Sequence, residues 1–162
     1  MPNTTLDWIN ERFHSSLTEE NLNSVNDFLL LWSLFEKQIC NNDANNNCLL
    51  RFAERDIDLF DIVVINRVYD YLRNRYIQNG HSTNRFQYLR LPNQRYIDYI
   101  LETFLNPEST QTDKLKVSLL IIYRFRNNLF HGEKNILTID SQTENFRHSN
   151  ELLKNIIERK MA

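Results

Sequence analysis

Residues 24–40 read SVNDFLLLWSLFEKQIC, and the spacing inside this stretch decides the fold. Val25, Phe28, Leu29, Trp32, Phe35 and Ile39 recur at intervals of three and four, the period of a helix with one buried face. Ser24 with Asp27 predicts a capping box at the start, Asp standing where Glu is usual. The Asn-rich residues 41–47 predict a polar loop at the end. Glu36 lies at the edge of the apolar stripe. Pairing with Arg124 or Arg126 and a place on the wet rim are equal readings of it.

Upstream, Leu6, Trp8, Ile9, Phe13 and Leu17 are scattered. Residues 1–20 therefore read as an N-terminal arm with one short helix, and 21–162 as one helical domain. Downstream, the same period predicts a second helix over 55–78, ended by Asn79-Gly80 as a C-cap. Leu89-Arg90-Leu91-Pro92 reads as extended, because proline disfavours helix at the residue before it. Asn93 caps a third helix with Tyr96, Ile97, Ile100, Phe104 and Leu105, broken by Asn106-Pro107. A fourth runs from Thr112 through Leu115, Leu119, Ile122, Arg126 and Leu129 to Gly132. A linker with an apolar patch at 136–139 leads to a fifth over 142–160. These elements predict an all-α antiparallel bundle of four to five helices around one core, with most of the 10 Phe, 7 Tyr and 2 Trp inside it.

Composition supports this and excludes other classes. The chain has 2 Gly and 3 Pro in 162 residues, where average usage gives roughly 11 and 8. Gly80 and Gly132 cannot assemble a glycine-rich phosphate loop, and a sheet with many tight turns lacks its turn residues. A net charge of −2 is not that of a polycation. Residues 51–95 nevertheless carry eight Arg, no Lys and five acids, a pattern that suits phosphate contact or, more blandly, intramolecular pairs. Cys40 and Cys48 are too few for a disulfide framework and have no zinc spacing. No secretory leader pattern opens the chain, and no apolar run reaches membrane length. The expectation is a cytoplasmic protein with free thiols and no membrane segment. His14, His81 and His148 read as surface residues.

One segment carries chemistry: residues 123–134, YRFRNNLFHGEK. Tyr123, Asn127 and His131 are spaced i, i+4, i+8 and form one stripe of a helix. Asn127 is placed to hydrogen-bond the imidazole and fix its tautomer. Arg126 precedes His131 by about 7.5 Å along the axis, within reach of a phosphate held near the ring. These residue types suit RNA cleavage. Histidine can take the 2′-OH proton near neutral pH, and a guanidinium stabilises the charge that grows on phosphorus oxygens. The alternative is a helix C-terminus that carries basic residues for its dipole.

Arg126-Asn127-Asn128-Leu129-Phe130-His131 resembles the R-x4-H motif of the HEPN family, with the polar residue after the Arg. The string from Arg126 to Lys134 is similar to stand-alone HEPN domains of bacterial phage-defence systems. Trp32-Ser33-Leu34-Phe35-Glu36 matches the end of the first helix in that branch. The resemblance spans about residues 20–160 and implies an all-α bundle acting as a metal-independent endoribonuclease without a cofactor. It implies a homodimer whose facing motif helices build one cleft from Arg126 and His131 of both copies. Asn127 would orient His131, and the products would be a 2′,3′-cyclic phosphate and a 5′-hydroxyl. Arg124, Tyr123, Asn128, Glu36 and Lys134 would bind RNA or support the site. RNA and an antitoxin or defence-system protein are the implied partners. Toxins paired with a nucleotidyltransferase antitoxin often carry a Tyr two positions after the His; here Glu133 stands there. The alternatives are a non-catalytic HEPN module that binds RNA or mediates assembly, and a helical partner-binding domain in which Arg126 and His131 are structural.

Overall fold

The computed structural model describes residues 4–130 and 136–162. Over these the chain is all-α apart from one two-stranded hairpin. Its helices are α1 (Thr5–Phe13), α2 (Glu19–Cys40), α3 (Asn46–Asp56), α4 (Ile62–Tyr76), α5 (Asn84–Gln87), α6 (Gln94–Leu105), α7 (Gln111–Phe130) and α8 (Thr143–Met161). Five of the eight have twelve residues or more, and these five build the bundle.

Local polar chemistry sets the helix ends. α1 begins with a reciprocal capping box between Thr4 and Asp7. α2 begins with another between Thr18 and Asn21, six residues before the expected cap. Ser24 lies inside the helix, buried, with its carbonyl accepting from Asn150 Nδ2 at 3.1 Å. The arm is pinned by Asn10, which accepts from Leu17 N at 2.9 Å and donates to Leu17 O at 2.8 Å.

The expected helix over 55–78 is realised only as α4, and residues 46–56, not expected as a helix, form α3. Asn45 caps α3 by accepting from Cys48 N at 3.0 Å, so the helix starts inside the Asn-rich stretch. It stops at Asp56, whose carboxylate accepts from Arg55 and from Lys160 Nζ of α8 at 3.0 Å. After a 3-10 turn, Asp61 caps α4 by accepting from Val63 N at 2.9 Å. Asn79-Gly80 is not a C-cap but the turn of a hairpin pairing β1 (Ile77–Gln78) with β2 (His81–Ser82). Asn79 at φ 52° and Gly80 at φ 75° supply the two left-handed residues of such a turn. Nor is 89–92 extended throughout, because Arg90 sits at φ 52°.

The largest correction concerns Cys40 and Cys48, expected as free thiols. Asn41 and Asn42 both adopt left-handed φ, at 50° and 63°, and fold the chain back at the end of α2. The two Cα atoms come to 6.0 Å, and the sulfurs are joined as a disulfide. Asn tolerates that conformation because its short polar side chain hydrogen-bonds locally.

α7 is the central helix. Residues 117–122 are buried without interruption, as expected of a helix surrounded by others rather than lying on a surface. It packs against α3, α4 and α6, while α8 packs against α2 and α4. Phe146 of α8 joins Phe28 of α2 and Phe125 of α7 in one aromatic cluster, with ring centroids 5.0 and 6.5 Å away. Among the described residues, no helix is long and apolar enough to cross a membrane.

Candidate functional site at the end of the central helix

The last described turns of α7 carry polar residues at the end of a buried helix. Tyr123, Arg124, Arg126 and Asn127 are half-buried; Phe125 and Asn128 are buried. Arg126 Nη1 donates to Asn127 Oδ1 at 3.1 Å, so the guanidinium and the amide form one unit. Asn127, Arg124 and Tyr123 line a cleft of about 180 Å³ closed by Asn46 of α3, by Leu91 and Pro92, and by Tyr96 of α6. Tyr96 also borders a larger groove of about 660 Å³ between α3, α6 and α7, whose rim holds Glu54, Asp98, Glu102, Arg95 and Lys116. His131, Gly132, Glu133 and Lys134 lie outside the described residues.

Arg124, which also lines the cleft, joins Asn128 in holding the chain. Asn128 Nδ2 donates to the carbonyls of Leu89 at 3.1 Å and Tyr88 at 3.3 Å, and Arg124 Nε donates to Leu89 O at 3.0 Å. Arg124 Nη2 donates to Asn128 Oδ1 at 3.1 Å, closing the set. A fully buried amide with both ends bonded is structural.

Tyr123 donates its hydroxyl to Ala44 O at 3.0 Å and stacks on Trp32, with centroids 5.7 Å apart. Glu36 accepts from Trp32 Nε1 at 3.2 Å. The carboxylate at the edge of the stripe thus has an indole partner on its own helix.

No protein-family model matches the chain, and no curated protein or solved structure does. The site therefore rests on its own chemistry.

Much of the arginine excess at 51–95 is used within the fold. Arg55 pairs with Asp56, Arg67 with Glu151, and Arg73 Nε donates to Phe104 O near the end of α6 at 2.8 Å. His14 and His81 are exposed, as expected. His148 is not a plain surface residue. Its ring stacks on Tyr71 with centroids 3.9 Å apart, and burial lowers its pKa below the ordinary value. Only its place opposite Tyr71 in the fold reveals this.

Proposed function

We infer that the chain is a HEPN-type endoribonuclease, metal-independent and homodimeric, serving as a toxin or anti-phage effector. The observation that carries this reading is the Arg126–Asn127 hydrogen bond on the central helix, four to five residues before His131, with Asn127 lining a cleft. His131 takes the proton from an RNA 2′-OH as its oxygen attacks phosphorus. The bond to the 5′ oxygen breaks and that oxygen takes a proton from water, leaving a 2′,3′-cyclic phosphate and a 5′-hydroxyl. Arg126 stabilises the phosphorane charge, and Asn127 sets the direction of the guanidinium and of the imidazole. The RNA follows the cleft, Lys134 contacts phosphate, and the setting is the cytoplasm.

The test is cleavage of RNA in EDTA by purified protein. His131→Ala lowers the rate about 10²-fold or more, the usual worth of a general base. Arg126→Ala falls in a similar range, and both variants keep the wild-type circular dichroism. Undiminished cleavage by His131→Ala overturns the assignment. A second reading is a non-catalytic module that binds RNA or mediates assembly. A folded dimer that binds RNA and cleaves none selects it.

A further inference from the structure

Tyr123 and Glu36 take part in one closed circuit around residues 41–47. Tyr123 Oη donates to Ala44 O at 3.0 Å, in the middle of that turn. Its ring stacks on Trp32, the planes 14° apart, and Trp32 donates to the Glu36 carboxylate. The Glu36 carbonyl accepts from the backbone N–H of Asn41 and, at 3.1 Å, of Asn42. The Cys40–Cys48 bridge closes the turn from both ends. Asn46, just past Ala44, lines the same cleft as Asn127. The bridge is thus tied to the last turns of α7 through few side chains.

We propose that the Cys40–Cys48 bridge is a site of reversible thiol–disulfide exchange. Its state sets the order of residues 41–47 and, through Tyr123, of the last turns of α7. The chemical partner is a dithiol reductant. Cys40 is 7% exposed, whereas Cys48 is half-buried beside the exposed Asn41, Asn42, Asp43, Asn45 and Asn47, so attack falls on Cys48 Sγ. A reductant thiolate bonds to that sulfur, the bridge breaks, and Cys40 leaves as a thiolate that takes a proton. The second thiol of the reductant then attacks the mixed disulfide and releases Cys48. The bridge has gained two electrons and two protons, and the dithiol has become a disulfide. Reduced Cys48 has an acceptor at hand, since its Sγ lies 3.7 Å from Ile39 O. Opening the short loop restores conformational freedom to two left-handed asparagines that the bridge holds in place.

The inference does not depend on the ribonuclease reading, and its test needs no RNA. Hydrogen exchange by mass spectrometry is compared for the whole chain before and after dithiothreitol, with alkylation counting thiols. Two thiols are expected after reduction and none before. Exchange at 41–48 rises about tenfold or more, the scale of a lost local constraint, and rises at 123–130 as well. In Tyr123→Phe the rise stays confined to 41–48. The Cys40→Ser/Cys48→Ser double variant shows the reduced pattern without reductant. Unchanged exchange at 41–48 or at 123–130 on reduction overturns the proposal. Loss of the whole helical signal also overturns it, because the bridge is then only a staple.

Discussion

Two adjacent asparagines on α7 do different work, and their environments separate them. Asn128 is 0% exposed, its amide donating to Leu89 O and its oxygen accepting from Arg124. Asn127 is half-buried at the cleft and bonded to Arg126. Asn128→Leu keeps the volume but strips the Tyr88 carbonyl of the bond Asn128 gives it and leaves Leu89 O with Arg124. The expected loss is about 1–3 kcal/mol, the cost of buried polar groups left unmade, read as a lower urea midpoint. Asn127→Ala shifts that midpoint little and instead weakens cleavage in the proposed site. Equal destabilisation by both substitutions contradicts the division.

At the scale of elements, the seam between α4 and α8 is where pH enters. His148 stacks on Tyr71 of α4, whose hydroxyl donates to Asn145 Oδ1 at 2.8 Å. Burial depresses the imidazole pKa most, and Arg147 and Arg67 add to it. Glu144 and Glu151 oppose them. The folded pKa therefore lies below the ordinary 6.5, and the folded state prefers the neutral ring. This contribution is fully present above pH 6.5 and is lost as pH falls through the depressed value. Urea midpoints at pH 7.5 and 5.5 should differ for the wild type, and the difference should shrink in His148→Phe, which keeps the stack without a proton. An unchanged pH dependence in that variant removes His148 as the cause. Such pairings explain what the sequence could convey. The 3.6-residue period exposed α2, α6 and α8 because each buries a continuous stripe, and in α7 it caught one line of a helix buried on all sides at 117–122. The start of α4 rests on the local Asp61 cap, while the partner of Asp56 at the end of α3 was illegible because Lys160 of α8 lies 104 residues away. The hairpin at Asn79-Gly80 was legible as punctuation but not as pairing, because the same two residues suit either end of a helix or a turn. At the candidate site, the spacing suggested a bond from Asn127 to His131, which lies outside the described residues, whereas the bond observed joins Asn127 to Arg126. The role of Arg124 was not legible, because its acceptor Leu89 arrives from a turn whose left-handed Arg90 no local pattern announces.

At the scale of the whole molecule, the central helix determines what a single copy can enclose. Residues 117–122 are surrounded by other helices, and the two ends of α7, 111–116 and 123–129, carry its partly exposed residues. The cleft at the latter end, the exit of the helix, holds about 180 Å³. Pockets that enclose a small ligand usually span roughly 300–1,000 Å³. This cleft alone encloses less than a nucleotide with its flanking phosphates, and in the proposed homodimer the exit of the second copy adds the remaining wall. Mass action then makes cleavage depend on assembly. Diluting the protein below its dimer dissociation constant should turn the rate from first to second order in chain concentration, with specific activity falling in step with the dimer fraction seen by sedimentation. Cleavage by monomers at constant specific activity, down to the lowest concentration that sedimentation resolves, would show that one exit suffices and that the shared cleft is wrong.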